Sequence, residues 1–179
     1  PSDLETLLAS HPLEDPTLLK RAHAAMARMA HWHLSKFAAT DPALKLPPQG
    51  YVVVVDQSQG DAAVTASGAD AQTFRDMLTA ARSENPGHQI LIKTHPETDG
   101  GHRPGHFDDS VLDDGIGFLS GPVSPWALFA SAAAVYTVSS GLGFEAIMAG
   151  QTPRVFGQPF YAGWGLTQDR APIQRRTRV

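Results

Sequence analysis

Residues 52–55 are four consecutive valines, and an unbroken β-branched run of that length cannot offer one polar face to water. It suits a strand buried on both sides. Comparable apolar runs follow at Gln89–Thr94, Ile116–Leu119, Ala134–Ser139 and Arg154–Gly157, the first spanning Tyr51–Asp56. Helical patterns separate them. Asp70–Asn85 sets Phe74, Met77, Leu78 and Ala81 on one face, Ser124–Ser131 opens with Pro125, and Leu142–Ala149 is closed by Gly150. Apolar strands alternating with helices specify an α/β, Rossmann-like parallel sheet flanked by helices on both faces.

Ahead of this unit, Leu19, Ala22, Met26, Met29, His33 and Phe37 recur three or four apart, predicting a helix from Thr17 to about Ala39 that Asp41-Pro42 ends. Pro47-Pro48-Gln49-Gly50 reads as a linker. With 42% hydrophobic and 18% charged residues the chain is of globular type, and a formal net charge of −4 gives no reason to expect nucleic acid. Arg170, Arg175, Arg176 and Arg178 read as a solvated face or tail, with a phosphate or anionic-lipid contact as the alternative. The absence of cysteine excludes disulfides and thiolate metal sites. No apolar run approaches the roughly 20 residues that span a bilayer. The sequence reads as a piece of a longer protein.

Ligands of parallel α/β sheets bind beyond the carboxyl ends of the strands, and polar groups gather there. Asp56-Gln57-Ser58-Gln59-Gly60-Asp61 follows the first strand, Lys93-Thr94-His95-Pro96-Glu97 the second, and Ser139-Ser140-Gly141 the fourth. Three strand ends on one edge form one crevice. The serine-glycine turn opens a helix whose free N–H groups and positive dipole end suit a phosphate. Lys93 and His95 add groups suited to phosphate or carboxylate, with Pro96 fixing the turn. Asp61 lies in a loop, where a carboxylate can be base, nucleophile, stabiliser of an oxocarbenium-like centre, or only a turn cap. Asp56 suits hydrogen bonding to adjacent loops. Glu145 can receive ribose hydroxyls or complement its helix dipole.

Two patterns lead elsewhere. Gly141-Leu-Gly143-Phe-Glu-Ala146 matches a dinucleotide fingerprint, but the next strand ends in Gly157-Gln158 without the acidic residue that would hold a ribose, so NAD is not expected. There is no Gly-Lys-Ser/Thr phosphate loop. His102, His106, Asp108 and Asp109 sit among Gly100, Gly101, Pro104 and Gly105, which predicts a mobile loop, not a metal helix. His31 and His33 diverge on their helix and carry no metal signal.

At Val54-Val-Asp-Gln-Ser-Gln-Gly-Asp61, Lys93-Thr-His-Pro96, Val135-Tyr-Thr-Val-Ser-Ser-Gly-Leu-Gly-Phe-Glu-Ala146 and Phe156-Gly-Gln-Pro-Phe-Tyr-Ala-Gly-Trp-Gly-Leu-Thr-Gln-Asp169, the chain resembles capsule polysaccharide glycosyltransferases of the KpsC/LipB type. The likeness covers roughly residues 20 to 178. It implies the nucleotide-sugar half of a GT-B-like β-Kdo transferase with CMP-Kdo as donor, retention of configuration and no metal. Residues 1–49 would then be a helical linker from an acceptor half outside this chain, and 50–179 a CMP-sugar-binding domain truncated at its C-terminus. By the same likeness Asp61 is the catalytic carboxylate, with Gln57 opening its Gln-x-x-x-Asp pattern. His95 contacts the CMP phosphate, Ser139 and Ser140 cradle it, and Glu145 lies near the nucleoside, with Lys93, Pro96 and Gly141 completing the donor-binding set. A lipid-linked saccharide acceptor, other capsule synthesis and export proteins as partners, and a cytoplasmic place at the inner face of the bacterial inner membrane also follow. The isolated piece is expected to be inactive. A transferase for another CMP-keto sugar such as sialic acid, or a non-catalytic nucleotide-binding module, is the alternative.

Overall fold

The computed structural model describes residues 2–36, 40–41, 44–171, 173 and 175. Its centre is a six-stranded, wholly parallel sheet. The strands are β1 (Tyr51–Val55), β2 (Ile90–Lys93), β3 (Ile116–Leu119), β4 (Ala132–Thr137), β5 (Arg154–Val155) and β6 (Gln168–Asp169), in the order β3-β2-β1-β4-β5-β6. The helices are α1 (Asp3–Ser10), α2 (Pro16–His31), α3 (Ala62–Ala66), α4 (Ala71–Glu84), α5 (Pro96–Asp99), α6 (Pro125–Ala130) and α7 (Gly141–Met148). The expected parallel Rossmann-like sheet is present, with its direction of winding reversing between β1 and β4.

The valine run is explained by what lies on either side. Val52 and Val54 pack with Phe74, Met77 and Leu78 of α4, while Val53 and Val55 pack with Leu128 and Phe129 of α6 and Ala146 of α7. All four valines are fully buried, each contributing about 1.5–3 kcal/mol of hydrophobic stabilisation. The helix starts follow from their caps. Asp70 accepts from Thr73 N–H at 3.0 Å before α4, Ser124 precedes Pro125 at α6, and Ser140 caps α7.

Several elements depart from the sequence reading. β4 begins and ends two residues earlier than expected and β5 is two residues long; α1, α3, α5 and β6 were not anticipated. The first long helix stops at His31, eight residues short of Ala39. His33 takes a left-handed φ of 52°, and its N–H reaches Ala30 O while Leu34 N–H reaches Met29 O at 2.8 Å. These two bonds form the closing motif usually built on glycine. His33 therefore leaves the apolar stripe, and its Nδ1 lies 2.5 Å from Ser124 Oγ. Leu19 of that stripe is exposed, and no residue of α2 is buried. Phe37, Ala39 and Pro42 lie outside the described residues.

Arg170 stays exposed on a solvated face, whereas Arg175 is largely covered and not a free tail. Arg170 pairs with Glu84 and lies 5.7 Å over Phe156. Arg175 pairs with Glu5 of α1, donates to Phe160 O and Ala162 O, and covers Trp164. Arg176 and Arg178 lie outside the described residues. The glycine-rich loop read as mobile is tied down as well: His106 stacks on Phe74 with ring centres 3.8 Å apart, and Gln59 N–H donates to Pro104 O at 2.8 Å. Asp56 accepts from His106 N–H at 3.1 Å and from Gln57 N–H at 2.8 Å, as its strand-end position implied. Among the described residues no cluster of three or more histidine, aspartate or glutamate residues could hold a metal.

The motif at residues 160–167 supports α7 from outside the sheet. Tyr161 is buried and donates to Ser140 O at 2.7 Å, and Gly143 leaves room for its ring. A Cβ at Gly143 would stand 2.3 Å from Tyr161 Oη and 2.8 Å from Thr137 Cγ2. Gly143→Ala is therefore expected to lower unfolding free energy by about 1–3 kcal/mol, read as a lower urea midpoint. An unchanged midpoint would contradict this packing.

Burial pushes the Asp56 carboxyl up to about 6 from an ordinary 3.8, against the opposing pull of the His106 and Gln57 N–H groups. The folded chain then holds a proton at Asp56 that the unfolded chain releases. Stability from this site is complete below about pH 4 and falls as pH rises through 6, by an amount on the order of 3 kcal/mol. Asp70, Asp108 and Asp113, whose carboxyls are held low by hydrogen bonds to backbone or side-chain donors, act in the opposite sense at lower pH. Subtracting the pH–stability curve of Asp56→Asn from that of the wild type should isolate the slope between pH 4 and 6. Parallel curves would remove Asp56 as its source.

Candidate functional site

The carboxyl ends of β1, β2 and β4 open into a cleft of about 660 Å³ at the point where the sheet's winding reverses. Its lining includes Asp56, Gln57, Asp61, Lys93, His95, Pro96, Ser139, Ser140, Gly141 and Glu145. Every residue singled out from the sequence as a catalytic or binding candidate therefore meets in one place.

Gln57 links the two central strand ends. It is 2% exposed, and its Oε1 accepts from Ser139 N–H at 3.0 Å. That bond orients the amide so that Nε2 donates to Asp61 Oδ2 at 3.1 Å and to Ser139 Oγ at 3.2 Å. Asp61 is the N-cap of α3, its Oδ1 accepting from Ala63 N–H at 2.9 Å. The cap role and the cleft role coexist because a carboxylate has two oxygens with several lone pairs. Its geometry is fixed by both bonds.

On the β2 side, Lys93 is buried and donates to Thr94 O at 2.8 Å, with Asp99 Oδ2 at 4.0 Å. Burial lowers the pKa of its ammonium, and Asp99 partly offsets this. Asp99 itself accepts from Thr94 Oγ1 and, at 2.9 Å, from Gly121 N–H. His95 caps α5; its Nδ1 accepts from Glu97 N–H at 3.2 Å and lies 3.2 Å from Ser58 Oγ. A ring nitrogen that accepts from a backbone N–H carries no hydrogen, so the ring proton sits on Nε2 and makes it a donor.

On the β4 side, Ser140 Oγ accepts from Leu142 N–H at 3.2 Å, and α7 begins at Gly141. A Cβ at Gly141 would meet nothing within 4 Å, so the helix start is open. Its N–H groups and dipole favour an anion there. Glu145 is nearly buried, and its carboxylate accepts from Ser35 Oγ at 2.9 and 3.1 Å and from Lys36 N–H at 3.2 Å. Ser35 and Lys36 also line the cleft, as do Thr94 and Asp99. Thr94 could have been taken from its place inside Lys93-Thr-His-Pro96, whereas no local pattern marks Ser35 or Lys36.

The arrangement is a cleft with a carboxylate, a donor imidazole and an open helix start around one space. It suits capture of a phosphate ester and displacement at the carbon attached to it.

A family model described as capsule polysaccharide biosynthesis protein matches residues 6–179. The lipopolysaccharide-processing protein LpsZ of Rhizobium meliloti is 38% identical over 183 residues, covering 99% of this chain and 42% of that protein. The capsule polysaccharide modification protein LipA of Neisseria meningitidis serogroup A is 36% identical over 178 residues, covering 96% of this chain and 25% of that protein. Among solved structures, the β-Kdo 2,4 transferase of Thermosulfurimonas dismutans KpsC superposes with a TM-score of 0.90 at 36% identity, over 100% of this chain and 57% of that one. The β-Kdo 2,7 transferase of the same KpsC gives 0.73 at 26% identity, over 98% and 54%. The chain thus spans less than half the length of these curated relatives and little more than half of the solved chains. It belongs to the capsule polysaccharide biosynthesis protein family and is of the KpsC/LipB type.

Proposed function

We propose that this chain is the donor-binding part of a glycosyltransferase that moves β-Kdo from CMP-Kdo to a lipid-linked saccharide in capsule polysaccharide synthesis. The observation that carries the reading is the convergence of Asp61, His95 and the Ser139–Ser140 turn on one cleft, in a chain this similar to a Kdo transferase. Residues 1–49 act as the helical linker from an acceptor-binding half, and 50–179 as the CMP-sugar domain.

In this mechanism the CMP phosphate sits at the start of α7 against Ser139, Ser140 and Gly141, and His95 Nε2–H donates to it. Lys93 stiffens that edge through Thr94 O and Asp99. The Asp61 carboxylate, held by Gln57, attacks the anomeric carbon as CMP leaves with the bonding pair. An acceptor hydroxyl, losing its proton to a base, then displaces Asp61 from the same carbon. Two inversions give net retention. One phosphate is neutralised by these donors, so no metal enters. No helix among the described residues is long and apolar enough to cross a membrane. Peripheral attachment at the inner face of the inner membrane, near capsule synthesis and export partners, brings the cleft to its lipid-borne acceptor.

Calorimetric titration should show CMP binding selectively over UMP and NAD, and His95→Ala should weaken it by about tenfold or more. Absence of CMP binding by a folded sample would overturn the donor assignment. In the full-length protein, Asp61→Ala should reduce transfer by at least about 10³-fold while CMP affinity stays within about threefold. Equal losses of binding and turnover would remove Asp61 from the nucleophile role.

A further inference from the structure

Four successive residues, 33–36, are each engaged by α6, its cap or α7, and the last two, Ser35 and Lys36, line the cleft. His33 Nδ1 meets Ser124 Oγ, and Trp126 Nε1–H donates to Leu34 O at 2.8 Å. Ser35 Oγ donates to Glu145 at 2.9 Å, and Lys36 N–H donates to the same carboxylate at 3.2 Å. The left-handed turn at His33 aims the chain along this path. Glu145 is 8% exposed, and a carboxylate so buried is costly without donors. Ser35 and Lys36 supply them from more than 100 residues away in sequence.

The result is a second lysine at the cleft. Lys93 is buried beneath Thr94 O and Asp99, whereas Lys36 is exposed on the lining. Its backbone is pinned to Glu145, one turn of α7 beyond Gly141, about 6 Å along the axis and within the reach of a lysine side chain. Asp56, Asp61, Asp99 and Glu145 also line the cleft, so a cationic side chain on the lining adds long-range attraction for an anion to the hydrogen bonds of the α7 start and His95. We propose that Lys36 is a phosphate-binding residue of this cleft and that Glu145 is the positioning residue that holds it there. This rests on the nucleotide-sugar reading above. It gives Glu145 an indirect part in donor binding.

The test is calorimetric titration of the chain with CMP at several salt concentrations. Lys36→Met should weaken CMP binding about tenfold and flatten its salt dependence, and Lys36→Arg should restore both. Glu145→Ala removes a negative charge, which by Coulomb attraction alone would tighten CMP binding. Through loss of the clamp it should instead weaken it, flatten the salt dependence, and leave Lys36→Met with no further effect in the double variant. Ser35→Ala should do the same to a lesser degree and serves if Glu145→Ala does not fold. Unchanged affinity in Lys36→Met, with binding lost in His95→Ala, would overturn this inference and leave the nucleotide reading standing. Weaker binding with an unaltered salt dependence in Glu145→Ala or Ser35→Ala would make Glu145 a direct nucleoside contact and overturn its positioning role. A wild-type chain that binds no CMP would overturn both readings.

Discussion

One side-chain amide holds the centre of this molecule together. Gln57 joins the ends of β1 and β4, which no sheet hydrogen bond reaches once the strands have finished. Its carbonyl is fixed by Ser139 N–H, which orients the amino group to donate to both Asp61 Oδ2 and Ser139 Oγ. A buried amide leaves its partners unsatisfied when removed, at about 1–3 kcal/mol for each. The carboxylate and the phosphate-type turn are thus held in one frame. Aspartate or serine at position 57 would be too short to bridge the two.

Around that frame the scaffold is built in shells. Tyr161 braces the serine turn from behind by donating to Ser140 O, and Gly143 makes the space for its ring. Trp164 and Arg175 in turn pack on the Tyr161 segment, and Arg175 reaches α1 through Glu5. The stretch Phe160–Thr167 is the most distinctive string in the sequence, yet it does not line the cleft. Its contribution is to keep α7 seated.

The sheet was legible because its physics is local. Four valines in a row have one stable environment, and Asp70, Pro125 and Gly150 mark helix ends through their own backbone chemistry. The site was legible because parallel strands deliver their polar ends to one edge, which brought Gln57, Asp61, His95 and Ser139 together. What stayed hidden depends on distant partners. The helix end at His33 rests on a histidine in a backbone conformation usually given to glycine, while periodicity carried the pattern onward to Phe37. Glu145 reads as a dipole or ribose group, and its bond to Ser35, which comes from the far side of the chain, carries no local signal. Arg170 and Arg175 resemble a basic tail until Glu84 and Glu5 are seen beside them.

The pairing of Val55 with Lys93, and of Val54 with Tyr136, sets the ends of β2, β1 and β4 side by side. Neighbouring strands stand about 4.8 Å apart, so the imidazole edge and the serine edge are separated by two steps, roughly 10 Å. That gap is a lattice spacing of the sheet. Lengthening or shortening the loops can change what decorates the two banks, but it leaves the spacing of the strand ends from which they spring unchanged. A ligand of different span is therefore met by the reach of side chains and loops, on strand ends whose spacing stays constant.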